Sequence, residues 1–170
     1  DQILDRSRAS EFAKNSRSPR MNSLMVFTRD LRVDDNPALC AAANAGTMSC
    51  LFVVDDKFAG APGASQRRQT FLLQSLSDLD QSLRKLGAHL EVVYGDWSQQ
   101  VQQRALELGA SNIHLSEDYS FYAKRRLANL KSWCCDNNIS LHAHPGITAV
   151  PPNSVSPAGG GEYKVFTPYW

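Results

Sequence analysis

The sequence predicts an α/β fold: a doubly wound, five-stranded parallel sheet with helices on both faces. Three observations carry this. Short apolar runs of strand length alternate with longer stretches whose apolar residues recur every three or four positions. Glycines close those stretches, at Gly46, Gly87 and Gly109. Charged and aromatic residues gather in the segments after the apolar runs, where an open α/β sheet presents its strand ends.

Leu24 to Thr28 reads as the first buried strand and leads into the charged loop RDLRVDD. Asn36 and Pro37 then start a helix. Asparagine caps free amide groups, and proline at the first helical position gives up no donor that the helix uses. This helix runs to about Ala45, where Gly46 stops it. Ser49 to Asp55 is the second strand, followed by the loop DKFAGAPGAS. Next, Leu72, Leu76, Leu79, Leu83 and Leu86 fall at spacings of four, three, four and three, one apolar stripe of a helix that ends at Gly87. Leu90 to Tyr94 is the third strand, and Val101, Ala105 and Leu108 mark the helix behind it. Asn112 to Leu115 is the fourth, followed by a helix with Ala123, Leu127, Leu130 and Cys134 inward. Ile139 to Ala143 is the fifth. Each right-handed crossover lays its helix on a sheet face, so this alternation calls for parallel strands.

From Pro145 the alternation stops, and HPGITAVPPNSVSPAGGGEY holds four prolines and four glycines. Residues 146–170 are therefore expected to form an extended connector after an α/β domain spanning 22–145. The chain closes on YKVFTPYW, four aromatics in eight residues. Such an end suggests a segment that packs against something following it, and one that favours weak self-association when left uncovered.

At 170 residues and 42% hydrophobic content, the chain is long enough for a single domain with a substantial core. The net charge of +1 divides unevenly. Residues 1–20 hold five basic and three acidic residues, leaving thirteen basic and fourteen acidic in 21–170. The domain is thus no basic nucleic-acid clamp. Residues 1–21 read as a linker-like tail without the apolar stretch of a signal peptide, and no run of residues is long and apolar enough to span a membrane. Four cysteines form no C-x-x-C pair, so a reducing, by default cytoplasmic, compartment is expected. His142 and His144 share one strand face but have no cysteine or carboxylate set beside them to make a metal site.

The strand-end loops carry no G-x-G-x-x-G, no P-loop, no G-x-S-x-G and no H-E-x-x-H. A response regulator would need its phosphate-accepting aspartate after the third strand, where GDW stands in a tight turn instead. What these loops do hold is arginine and aromatic side chains, groups that stack on conjugated rings and pair with anions.

Four segments, MVFTRDLRVDDNPAL, RRQTFLLQSLSDL, SEDYSFYAKRR and EYKVFTPYW, resemble the amino-terminal α/β domain of the DNA photolyase and cryptochrome family in order and spacing. The resemblance runs from about Asn22 to Trp170. It implies a Rossmann-like domain that receives an antenna chromophore, a methenyltetrahydrofolate or a deazaflavin. It also implies a separate helical domain that binds FAD and ultraviolet-damaged DNA, so that the parent is a carbon-carbon lyase or photoreceptor while this chain alone is inactive. By resemblance the antenna pocket is lined by Arg29, by Asp55 and Phe58 after the second strand, and by Arg68 and Phe71 on the long helix. Glu117, Asp118, Tyr122 and Arg125 complete it after the fourth strand. Each has a plainer alternative: Phe71 as core, Arg29 paired with Asp30, Arg125 as a solvated helix residue. A nucleotide-binding α/β domain and a ligand-free interaction module remain as other readings of the same fold.

Overall fold

A computed structural model describes residues 21–56 and 65–148. Along them run β1 (Met21–Phe27), α1 (Pro37–Asn44), β2 (Gly46–Asp55), α2 (Gln66–Lys85), β3 (Leu90–Gly95), α3 (Trp97–Glu107), β4 (Asn112–Ser116), α4 (Phe121–Asp136) and β5 (Ser140–His144). All pairings are parallel, and the strand order is β3-β2-β1-β4-β5. The expected α/β class is therefore observed.

Strands covered on both faces read as continuous apolar runs, which is why the pattern was so plain in the sequence. Leu24 and Val26 of β1, Leu51 and Val53 of β2, and Ile113 and Leu115 of β4 pack with Trp97, Val101 and Ala105 of α3 and with Leu130 and Cys134 of α4. The opposite face buries Met25, Phe27, Cys50 and Phe52 against Ala38, Leu39 and Ala42 of α1 and Leu76, Leu79 and Leu83 of α2. Two cores thus sandwich one sheet, as burial of both faces requires.

Three local differences from the sequence reading have simple causes. β2 begins at Gly46 rather than Ser49, so one glycine ends the helix turn and opens the strand. Its φ is +134°, and a Cβ there would overlap the carbonyl oxygen of Met21, its pairing partner on β1. Leu86 caps α2 instead of joining its buried stripe, and it lies exposed. β5 extends through His144.

Helix starts are capped from within the strand-end loops. The Asn36 side chain accepts from the Leu39 N–H at 3.1 Å. Asp96 accepts from the N–H groups of Ser98 and Gln99 at 3.0 and 3.1 Å. Ser120 accepts from that of Ala123 at 3.3 Å. These caps fix the first turns of α1, α3 and α4 beside the carboxyl ends of the strands, where the charged loops converge.

Candidate functional site

Strand order reverses between β1 and β4, and in open α/β sheets the crevice at that point is the usual place for a ligand. Here the protein's own polar groups fill it. Asp30, only 2% exposed, follows β1. Its carboxylate accepts from the Ser116 hydroxyl at 2.7 Å, the Thr28 N–H at 3.0 Å and the Asn36 amide at 3.3 Å. Arg32 braces the same junction, donating to the Asp35 and Gly146 carbonyl oxygens, each at 2.7 Å.

Beside this plug lies a second cluster with a different character. Asp55, the buried last residue of β2, accepts from the Tyr122 hydroxyl at 2.5 Å. Asp118, in the loop after β4, sits 3.4 Å from the Arg29 Nε. Arg126 stands one turn beyond Tyr122 on α4, and its guanidinium carbon lies 3.8 Å from the centroid of the Trp97 ring and 5.6 Å from that of Tyr122. Trp97 opens α3 and is 3% exposed, so the indole forms a fixed floor under the guanidinium. Burial pulls Arg126 below its ordinary pKa; Asp55 and Asp118 oppose the shift and Arg29 adds to it. These five titratable groups therefore form one electrostatic unit drawn from three strand-end segments, with Trp97 from a fourth as its floor.

Of the residues expected from sequence, Arg29, Asp55, Asp118 and Tyr122 are brought together. Arg29 pairs with Asp118, and Asp30 is instead held by Ser116, Thr28 and Asn36. Glu117 is half-buried and turns toward β5: it accepts from the Tyr119 hydroxyl at 3.1 Å, and its N–H donates to the His144 carbonyl at 2.8 Å. Arg68 and Phe71 are exposed on the first turns of α2, Phe71 at 71%, so Phe71 is no core residue. Arg125 is exposed, and its neighbour Arg126 makes the inward contact. Phe58, the tail 1–20 and the aromatic end lie outside the described residues.

The site set expected from sequence includes Arg125 and leaves out Arg126 and Trp97. A usable signal existed for Arg126. With Ala123, Leu127, Leu130 and Cys134 inward, a residue three after Ala123 flanks the buried stripe, whereas Arg125, two after it, points away.

Among the described residues no thiol at this edge is activated. Burial pushes the Cys50 and Cys134 thiols up to about 11, and Cys40 and Cys135 are free and exposed. Among the described residues no group of three or more His, Cys, Asp or Glu side chains is placed to hold a metal ion, and no helix there is long and apolar enough to cross a membrane.

The fold is that of a Rossmann-like α/β domain whose described strand-end edge gathers stacked and charge-paired side chains. Comparison with known proteins narrows that class. The chain belongs to the DNA photolyase family, whose sequence model matches residues 23–170. It is 37% identical over 151 residues to a deoxyribodipyrimidine photo-lyase of Streptomyces griseus, covering 87% of this chain and 33% of the relative. It is 36% identical over 133 residues to cryptochrome-2 of Gallus gallus, covering 78% of this chain and 22% of that protein. Among solved structures, a class III photolyase of Agrobacterium tumefaciens superposes with a TM-score of 0.78 at 26% identity, over 92% of this chain and 32% of its own. A photolyase of Sulfolobus tokodaii, described with two FAD molecules and a light-harvesting cofactor, gives 0.67 at 28% identity, over 74% and 29% respectively. The chain thus spans about a third or less of the length of these relatives.

Proposed function

We propose that this chain is the antenna-binding α/β portion of a photolyase or cryptochrome-type flavoprotein. In this reading residues 22–145 form the domain, and 146–170 connect it to a helical domain that holds FAD and ultraviolet-damaged DNA. The observation that carries the reading is the Arg126 guanidinium seated on the buried Trp97 ring, beside Asp55, Tyr122, Asp118 and Arg29. A planar conjugated ring is held by guanidinium or aromatic faces, and carboxylates accept from its amino and amide edges. The donor set present matches that chemistry for either a methenyltetrahydrofolate or a deazaflavin.

When bound, the chromophore supplies light absorption and passes its excitation through space to the flavin; photoproduct repair belongs to the helical domain. The residues of this chain hold and orient the ring and make or break no bond. Asp118 and Arg29 act as exchangeable partners, because Arg29 is largely exposed and its pairing is loose. Asp55 and Tyr122 hold the deeper wall.

Fluorescence titration of the 170-residue chain with each chromophore tests the proposal. Saturable binding is expected, weakened by about 1 to 3 kcal/mol in Asp118→Ala, as for a charged hydrogen bond left unmade. Stabilisation by nucleotides, with neither chromophore bound, would overturn it in favour of a nucleotide-binding domain. The chain alone is expected to hold no stoichiometric FAD and to reverse no thymine dimers under illumination.

A further inference from the structure

The region between β4 and β5 contains three histidines that the proposed ligand site does not use. Register places His114 of β4 level with His142 of β5, and Ser116 level with His144. Side chains two apart on a strand share a face, so all three rings meet on the α1 side of the sheet. The His114 ring stacks on His142 with centroids 4.7 Å apart and on His144 at 5.3 Å, both nearly parallel. The His114 Nδ1 and the His144 Nε2 are 3.1 Å apart, so one donates a hydrogen bond to the other. His142 Nε2 lies 3.4 Å from the Asn112 side-chain oxygen. His114 Nε2 is buried and finds no hydrogen-bond partner among the described residues.

We infer that this histidine stack is a proton-sensitive latch, which holds β5 on β4 while neutral and loosens the Glu117–Asp118 loop when protonated. The latch stands on the stack itself; only its consequence for a ligand rests on the proposed reading of that edge.

The stack tolerates an added proton poorly. Protonating the acceptor of the pair turns both facing nitrogens into donors, ends their bond and places a positive charge between parallel imidazoles. The surroundings offer little compensation. Helix α1, which packs against both strands, carries no charged residue, and its one titratable group, Cys40, is exposed. Ser23 and Met25 on the neighbouring strand are uncharged. The Asp30 carboxylate is already taken by Ser116, Thr28 and Asn36. Arg32, bonded to the Gly146 carbonyl, adds positive charge at the same end. Among the described residues, burial and the neighbouring His142 disfavour a charged His144 and outweigh Glu117, which favours it. Burial, with His142 and His144 alongside, brings His114 down to about 4.

Opening is mechanically simple. Among the described residues β5 is an edge strand paired with β4, and short edge elements open locally at low cost. Its carboxyl end is tied to the candidate site by the bond from the Glu117 N–H to the His144 carbonyl, one residue before Asp118. Peeling β5 away lets His114 reach water, where it takes up a proton near the ordinary imidazole value. The sign follows: closure is fully favoured above about pH 6.5 and progressively lost as pH falls toward 4.

Amide hydrogen exchange on the 170-residue chain, corrected for intrinsic rate, tests this. Between pH 7.5 and 5.5 the protection of the Glu117 amide should drop about tenfold, the factor that follows from imidazole values of 6.5 open and about 4 closed. In His114→Gln the drop should shrink to less than about threefold, and in the milder His144→Gln it should be intermediate. A flat wild-type profile, or the full drop retained in both variants, overturns the latch. Titration with deazaflavin and with methenyltetrahydrofolate at the same two pH values separates the two readings. Binding of neither at either pH overturns the chromophore proposal, while the exchange result still decides the latch.

Discussion

Replacing Asp30 tests whether the plug at the strand-order reversal holds the fold together. In Asp30→Ala, the Ser116 hydroxyl and the Thr28 N–H lose their acceptor, and the Asn36 amide loses one of its three. Ser116 and Asn36 are both 1% exposed, so water cannot replace the lost bonds without opening the junction. A buried donor left unpaired costs about 1 to 3 kcal/mol, and Asn36 retains the carbonyl of Arg32. Counting two orphaned donors and allowing for relaxation gives a loss of about 2 to 5 kcal/mol. Asp30→Asn keeps the volume and one acceptor oxygen and should cost about half as much. Urea unfolding at pH 7, with the slope unchanged between variants, reads the difference directly. A loss below about 1 kcal/mol in Asp30→Ala, or equal losses in both variants, would refute the accounting.

The remaining expectations concern the site, the backbone and pH. Arg126→Ala should weaken chromophore binding by about 1 to 3 kcal/mol while Arg125→Ala leaves it unchanged, because only the former sits on Trp97. Arg68→Ala decides by the same titration whether the start of α2 belongs to the site. Gly46→Ala should destabilise by more than about 2 kcal/mol through overlap with the Met21 carbonyl. Gly87→Ala, at φ +83° with open space around it, should cost only about 1 kcal/mol in the same unfolding experiment. His114 is held neutral in the fold, so its contribution to stability is complete above about pH 6.5 and declines as pH falls toward 4. Between pH 7.5 and 5 this amounts to about 2 kcal/mol, measured as the difference between wild type and His114→Gln.

The elements of the described residues were legible because burial of both sheet faces leaves apolar runs in the central strands, and because Asn36 and the glycines punctuate the alternation. Gly46 to Met48 escaped as strand because Gly and Thr lack the apolar signal, and pairing with Met21 to Ser23 supplies what the local sequence does not. The strand order was not legible, since nothing local says on which side of β1 a crossover returns. That gap hid the histidine stack: His142 and His144 could be placed on one face, but His114 joins them only because β4 neighbours β5. In the site, Asp55, Asp118 and Tyr122 were marked by the family resemblance, and their strand-end positions agree with it. Arg125 rests on the same resemblance, whereas the helix face places Arg126 beside the buried stripe. Arg68 and Phe71 rested on resemblance without a packing argument, and the structure leaves both exposed.

The central place of β1 also bears on how the chain is made. Its two neighbours reach it at very different times: Asn22 pairs with Thr47, but Met25 must wait for His114. Those last two residues are 89 positions apart, so at ribosomal speeds of about 5 to 20 residues per second roughly 4 to 18 seconds separate their appearance. Throughout that interval one flank of the central strand is unpaired. Such a chain favours a chaperone at the tunnel exit, and slow codons between β1 and β4 would lengthen its risk of aggregation.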